Sequence, residues 1–180
     1  MAGRYEFQVT TQIIYGRDSS SRVGEVAVRF GLKKVQVITD AGLVKAGTAE
    51  KILRALKDSG VQTVLFDRVE YNPTVPTTDA ARKQFGEEKC DGIVAVGGGS
   101  PMDVGKSVGI LATNTGSAAD YLGIGKVKNK GVPVICLPTT SGTSVEITDV
   151  AVLSEPEGSA TVAAIRASTS TGWALGGEGS

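Results

Sequence analysis

Three consecutive glycines are the feature of this sequence that points most directly to chemistry. The apolar run Ile93–Val96 ends at Gly97, Gly98 and Gly99, and Ser100 and Pro101 follow, which predicts a strand, a tight turn and the start of a helix. Ser100 suits the N-cap position, and Pro101 suits the first helical position because it lacks a backbone N–H. A helix N-terminus presents free N–H groups and partial positive charge, and glycines let an anion approach the backbone closely. The segment therefore predicts a phosphate-binding turn.

Two phosphate-binding motifs compete for this segment. Gly105-Lys106-Ser107 looks like the end of a G-x-x-x-x-G-K-[ST] P-loop, but Ser100 stands where its first glycine belongs. Asp103 would also place a carboxylate inside the anion cradle. A strict dinucleotide-binding G-x-G-x-x-G fails as well, because Met102 stands in the place of the last glycine. The glycine turn and the helix start that a dinucleotide site needs are both still present, so we favour that interpretation. An ordinary glycine turn without a ligand is the alternative.

A carboxylate ends an earlier apolar run. Asp40 follows the strand-like residues 35–39. At a strand end, a carboxylate can accept both hydroxyls of an adenine ribose and repel a 2′-phosphate. Taken alone, Asp40 is more readily interpreted as the cap of a helix that begins near Gly42.

A hydroxyl-rich loop follows the predicted strand Val132–Leu137, with Thr139, Thr140, Ser141, Thr143 and Ser144. Such hydroxyls and loop N–H groups can bind ribose or diphosphate oxygens. A solvated loop with local hydrogen bonds between side chains and backbone fits the same residues equally well.

Asp103 and Lys106 are the candidate catalytic residues. They lie three positions apart on the helix predicted over 101–112, so their side chains are neighbours. They could form a simple surface ion pair, or face the cleft as a polar handle for a substrate. Neither residue is a convincing general base alone.

Composition restricts the remaining classes of function. The chain has 180 residues and 41% hydrophobic residues, and 19 basic residues balance 19 acidic ones, which predicts a packed domain without affinity for nucleic acid or a membrane surface. The absence of histidine excludes histidine general bases, and the two cysteines do not make a closed zinc site. With no signal peptide or membrane span in the sequence, we expect a cytoplasmic protein.

The elements that must position these residues alternate between helical and strand-like patterns. The periodicity predicts helices over residues 43–59 and 77–89, with short apolar strands between helices. This alternation predicts an α/β fold: a Rossmann-like parallel sheet with helices on both faces, in a single domain over residues 1–166. Residues 167–180 have the composition of a tail, which we expect to be flexible or foreign to the domain.

These motifs together resemble a known family. Val94–Lys106 looks like the cofactor loop of the iron-containing (group III) alcohol dehydrogenases, and Leu137–Thr143, followed by Glu146-Ile147-Thr148, looks like their second cofactor motif. Asn72-Pro73-Thr74 and Ile38-Thr39-Asp40 fit the family's earlier strand ends. The resemblance covers roughly residues 5–153.

The resemblance implies a domain that binds NAD, in which each matched residue has a role. Gly98, Gly99 and Ser100 would hold the diphosphate, beside Gly97 in the same turn. Thr139, Thr140 and Thr143 would lie along the cofactor, Asp40 would select NAD over NADP, and Asp103 would lie near the nicotinamide.

The resemblance also implies what this chain lacks. Members of the family carry a second, helical domain in which an Asp and three His bind iron or zinc. We expect this chain to stop before that domain, and therefore expect no metal in it. The sequence departs from the family at Ser144-Val145 and over 159–163, and nothing familiar follows Ala167.

The resulting expectation is the cofactor domain of an NAD-dependent alcohol dehydrogenase, acting on small alcohols or aldehydes. Hydride transfer by this chain alone is expected to be weak or absent. The alternatives are an NAD(H)-binding module without turnover and a domain remnant that self-associates. We expect a homodimer or larger species, formed through the surface that the missing domain leaves bare.

Overall fold

The computed structural model describes residues 11–123, 125–142 and 144–154, together with the backbone of two further strands at 163–166 and 172–176. Within these residues the strands are β1 (Gln12–Tyr15), β2 (Lys34–Ile38), β3 (Gln62–Phe66), β4 (Gly92–Gly97), β5 (Val134–Pro138), β6 (Val150–Leu153), β7 (Ala163–Arg166) and β8 (Gly172–Gly176). The helices are α1 (Val23–Arg29), α2 (Ala41–Lys45), α3 (Thr48–Asp58), α4 (Val75–Glu87) and α5 (Gly99–Leu111).

Six of these strands form one sheet in the order β1-β8-β5-β4-β2-β3, and every pairing in it is parallel. β6 and β7 form a separate antiparallel pair. The predicted Rossmann-like α/β fold with a parallel sheet is therefore confirmed.

Two apolar layers cover the faces of the sheet. On one face, α1 and α3 pack against β2, β4 and β5 through Val23, Val26, Ala27, Ile52, Leu56, Val35, Val37, Val94, Val96, Ile135 and Leu137. On the other face, α4 and α5 pack through Ala81, Phe85, Met102, Val104, Val108, Ile38, Ile93, Ala95, Val134 and Cys136. Alternate residues of each strand face opposite sides, so a strand that is apolar throughout supplies both layers.

Two predicted helices have different bounds in the structure. The helix expected over 43–59 is divided into α2 and α3 because Gly47 lies between them at φ 78°, a left-handed conformation that favours glycine. The helix expected from residue 77 begins at Val75, with Thr74 as its N-cap. Pro76 is tolerated in the first turn because a backbone N–H at that position would have no intrahelical partner in any case.

The residues expected to be a tail contain a strand. β8 pairs with β5 on one side and with β1 on the other, so residues 172–176 lie inside the main sheet rather than outside the domain. Pairing on both sides supplies backbone hydrogen bonds that glycine content does not reveal, whereas the flexibility or foreign origin expected of residues 167–180 stays a prediction. The proposed boundary at 166 stays a prediction.

The strand order reverses between β2 and β4, which in folds of this kind is where a ligand crevice opens. From β2 the chain crosses to β3 on one side, and the next strand, β4, lies on the opposite side of β2. At such a reversal, the connections leave the carboxyl ends of neighbouring strands in opposite directions and open a ligand crevice between them. Asp40 follows β2 and the glycine turn follows β4, so both predicted cofactor segments flank this crevice.

Candidate cofactor site

The turn after β4 requires glycine at its first position. Gly97 has φ 147°, and a Cβ built on it would lie 2.6 Å from Cγ of Pro101. Both the backbone conformation and the contact exclude a larger residue unless the helix shifts. Gly97 therefore lets α5 start directly at the carboxyl end of β4.

The N-terminus of α5 lies two residues earlier than predicted. Gly98 is the N-cap and Gly99 the first helical residue, so the prediction of Ser100 as N-cap is wrong. Gly98 makes no capping hydrogen bond from a side chain, and Gly98, Gly99 and Ser100 are all partly exposed. The N–H groups of this first turn consequently remain available to an anion, and α5, at 13 residues, is long enough to place its dipole there.

The hydroxyl-rich loop after β5 approaches this turn. The N–H of Thr139 donates to the carbonyl oxygen of Gly97 at 2.9 Å. A Cβ built on Gly98 would lie 3.2 Å from Oγ1 of Thr140. The side chains of Thr139 and Thr140 are exposed, whereas Thr143 lies outside the described residues. The structure therefore brings the glycine turn and the threonine loop together at one edge of the sheet.

Asp40 caps α2. Its Oδ1 accepts a hydrogen bond from the N–H of Leu43 at 3.0 Å, as the cap interpretation predicted. Capping uses one carboxylate oxygen and leaves the other as a possible acceptor for a ligand hydroxyl. Asp40 is half-buried at the end of β2, on the strand next to β4.

Asp103 and Lys106 are not a surface pair. Asp103 is 6% exposed and Lys106 is 9% exposed, and Nζ of Lys106 lies 3.8 Å from Oδ1 of Asp103. All residues of α5 from Pro101 to Leu111 are buried, so polar side chains on this helix must find partners inside the protein. The surface interpretation of this pair was wrong.

Lys106 finds its partners in a segment distant in sequence. Its ammonium donates to the carbonyl oxygen of Val145 at 2.8 Å, to Oγ1 of Thr148 at 3.2 Å and to the carbonyl oxygen of Val150. The sequence does not reveal these carbonyl acceptors, because every residue carries a backbone carbonyl and none has a signature of its own. The apolar and small residues on every side of α5 were the available signal that its charges are buried.

Burial shifts the titration of both charged groups. It raises the pKa of Asp103 to about 6, against the lowering effect of the Lys106 ammonium and of the Val152 N–H. Burial also lowers the pKa of Lys106, against the nearby carboxylate of Asp103. Two charges on α5 are thus held inside the protein, directly behind the glycine turn.

The donor set does not suit a catalytic metal. In the part of the chain that the structure describes, no three His, Cys, Asp or Glu side chains come together, and the sequence has no histidine. A catalytic zinc site needs three such protein ligands. Among the same residues, no helix is long and apolar enough to cross a membrane.

The fold and the site define a Rossmann-like α/β domain with a glycine turn at its switch point. The family model for iron-containing alcohol dehydrogenases matches residues 10–171, and the chain belongs to this family. The match extends beyond residue 153, where the recognisable motifs end, and into the stretch that was expected to be foreign.

Individual relatives agree with this assignment. A choline dehydrogenase of Bacillus subtilis is 38% identical over 156 residues, which are 85% of this chain and 39% of the relative. The solved 1,3-propanediol oxidoreductase superposes with a TM-score of 0.88 at 34% identity, over 96% of this chain and 45% of that one. Sulfoacetaldehyde reductase from Bifidobacterium kashiwanohense, solved in complex with NAD+, has a TM-score of 0.86 at 30% identity, over 96% and 46%. The chain thus spans less than half the length of these relatives.

Proposed function

We propose that this chain binds NAD(H) in the crevice between β2 and β4 and serves the NAD-linked oxidation of small alcohols or reduction of aldehydes. The observation that carries the proposal is the close approach of Gly98 to Thr140 beside the N-terminus of α5. A relative solved with NAD+ supports the choice of cofactor.

Each part of the crevice would meet a different part of the cofactor. The N–H groups at the start of α5, with Ser100, would hold the diphosphate, because they combine unpaired donors with the positive end of the helix dipole. Thr139, Thr140 and Thr143 would line the same channel. Asp40 would accept the ribose hydroxyls and disfavour a 2′-phosphate by charge repulsion.

NAD supplies the hydride acceptor when it is bound, and this chain's residues would position it. A Lewis acid that polarises the alcohol oxygen supplies several kcal/mol of transition-state stabilisation, and the described residues contain no group of His, Cys, Asp or Glu side chains that could hold one. We therefore expect this chain alone to show weak turnover or none. The related candidate is a module that binds NAD(H) without turnover, which would give the same binding curve and no product.

An NADH titration followed by fluorescence tests the proposal, with Gly98→Ala as the probe. The added methyl group would lie 3.2 Å from Oγ1 of Thr140, and the backbone conformation of Gly98 is open to alanine. We expect NADH affinity to fall about tenfold or more, because the methyl group occupies the approach of the diphosphate. Gly86→Ala in α4 is the matched control, since nothing lies within 4 Å of its added Cβ.

Three results would separate the alternatives. No NADH binding by the wild-type chain would refute the proposal. Equal affinity of the Gly98→Ala and wild-type chains would show that the glycine turn is only a turn. Binding without oxidation of 1,3-propanediol or reduction of an aldehyde would favour the module without turnover.

The predicted preference for NAD over NADP has its own test. Asp40→Asn keeps an oxygen that can accept from the N–H of Leu43 but removes the negative charge. We expect this variant to bind NADPH more tightly and NADH more weakly than the wild-type chain does. Unchanged affinity for both cofactors would leave Asp40 with a capping role only.

The cytoplasmic location and the homodimer also stay predictions. Ile13 and Tyr15 on the edge strand β1 are 52% and 75% exposed, which provides apolar surface for self-association. Sedimentation equilibrium measures the oligomeric state.

A further inference from the structure

The ammonium of Lys106 has no free hydrogen-bonding capacity. It has three protons, and its acceptors are the carbonyl oxygens of Val145 and Val150 and both oxygens of Thr148, the carbonyl at 3.4 Å. All of these acceptors belong to residues 145–150, which follow the threonine loop. Because every donor already points at this segment, Lys106 is not available to bind a substrate.

Asp103 strengthens the same connection. It lies one turn before Lys106 on α5, and the N–H of Val152 stabilises its carboxylate. The buried ion pair therefore faces the 145–152 segment, with hydrogen bonds from the cation to Val145, Thr148 and Val150 and with the backbone of Val152 near the anion. A charge-assisted hydrogen bond in a buried position is stronger than a neutral one and costly to leave unmade.

This contact gives the threonine loop its second attachment. At the start of the loop, the N–H of Thr139 is bonded to the carbonyl of Gly97. After the loop, residues 145–150 are bonded to Lys106 of α5. Both attachments lead to the β4–α5 unit, which also carries the glycine turn. The first attachment is a backbone hydrogen bond, whereas the second combines the hydrogen bonds of Lys106 with the packing of Val145 on the core and of Leu153 against Ile110 and Leu111 of α5.

We propose that Lys106 is a positioning residue for the cofactor site. It ties the end of the threonine loop to the helix that begins at the glycine turn, and so sets the width of the channel between Gly98 and Thr140. Lys106 acts through the loop and does not touch the cofactor. The inference rests on the proposed function for its effect on NADH, but the anchoring of the loop is testable without any cofactor.

Lys106→Met is the probe, because it keeps a long apolar stem and removes the ammonium. Hydrogen exchange of the cofactor-free protein reports the anchoring: we expect amides in 144–150 to exchange about tenfold faster or more, while strands β2 and β4 keep their protection. NADH titration reports the positioning: we expect about tenfold weaker binding in the folded variant. Lys57→Met, at an exposed lysine of α3, is the matched control and should change neither quantity.

Rescue distinguishes positioning from general stability. Lys106→Arg restores a cation with several donors, and we expect it to recover part of both the protection and the NADH affinity. Thr148→Val removes one acceptor and leaves the lysine, and should give a smaller change of the same sign in both measurements. If Lys106→Met does not fold, as judged by circular dichroism, these two variants carry the comparison.

The measurements distinguish failure of the anchoring, failure of the positioning role and failure of the proposed function. Unchanged exchange over 144–150 in a folded Lys106→Met chain would overturn the anchoring. Faster exchange with unchanged NADH affinity would overturn the positioning role. If the wild-type chain does not bind NADH, the proposed function fails and the positioning role falls with it, while the exchange data still decide whether Lys106 holds the loop.

Discussion

The buried carboxyl of Asp103 should make the stability of this protein depend on pH in an unusual direction. Surface carboxylates that are ion-paired favour the folded state when they are charged. Asp103 is 6% exposed, and burial raises its pKa in the folded state to about 6 from an ordinary value of 3.8. The folded protein therefore binds a proton at this site more tightly than the unfolded chain does.

The sign and size of the pH dependence follow from the difference between the pKa of Asp103 in the folded and unfolded states. Between about pH 4 and pH 6 the folded state holds a proton that the unfolded state has released, so the unfolding free energy falls as pH rises. The contribution is fully present below pH 3.8 and is lost as pH rises through about 6. A pKa difference from 3.8 to about 6 corresponds to about 3 kcal/mol.

Asp103→Asn isolates this contribution, because asparagine is close in shape to the neutral carboxyl group and does not titrate. Urea unfolding of the wild-type and variant chains should be measured from pH 3.5 to pH 7.5. We expect the wild-type free energy of unfolding, relative to the variant, to fall by about 3 kcal/mol over this range. Asp58→Asn, at an exposed carboxylate of α3, controls for loss of a surface charge.

A difference in unfolding free energy between the wild-type and Asp103→Asn chains that does not change with pH would refute this prediction. If the wild-type and Asp103→Asn free energies differ by a constant to within about 1 kcal/mol between pH 4 and pH 7, Asp103 is not titrating in a buried site. A difference that grows in favour of the wild-type chain as pH rises would mean that attraction to Lys106 outweighs the cost of burial.

Three further outcomes are expected. Gly105→Ala should lower the unfolding free energy by about 1–3 kcal/mol in urea titrations, because its Cβ would lie 2.8 Å from Cβ of Ala95; no loss would mean that α5 can move away from β4. Glu70→Gln should cost about 1 kcal/mol at pH 7, because Glu70 accepts hydrogen bonds from the hydroxyls at the start of α4. Although burial raises the pKa of Glu70, these hydrogen bonds lower it overall, so the gap between wild type and variant should close as the pH falls below 4.5. Burial raises the pKa of Cys90 to about 11 and that of Cys136 to about 12, so neither thiol should react with a disulfide reagent at pH 7 until urea is added; rapid reaction of the folded chain would contradict their burial.

The local sequence pattern was sufficient to predict the fold class and the location of the glycine turn. Strands that are apolar throughout alternate with helices of 3.6-residue periodicity, and this combination is stable only when helices cover both faces of a parallel sheet. Glycine at 97 is similarly local, because its φ of 147° and its contact with Pro101 arise within a few residues. The start of α5 was misplaced by two residues, since capping geometry at Gly98 depends on backbone angles rather than on a capping side chain.

The sequence by itself therefore determined the class of fold, the strand ends and the residues that meet at them. Tertiary structure alone decided that Asp103 and Lys106 are buried, that β8 completes the sheet, and that the threonine loop is attached to α5 through Lys106. The physical reason is that the burial of a charge depends on which distant segment packs over it. The acceptors of Lys106 are mainly backbone carbonyls, which every residue carries, so only the folded chain shows which ones the ammonium meets.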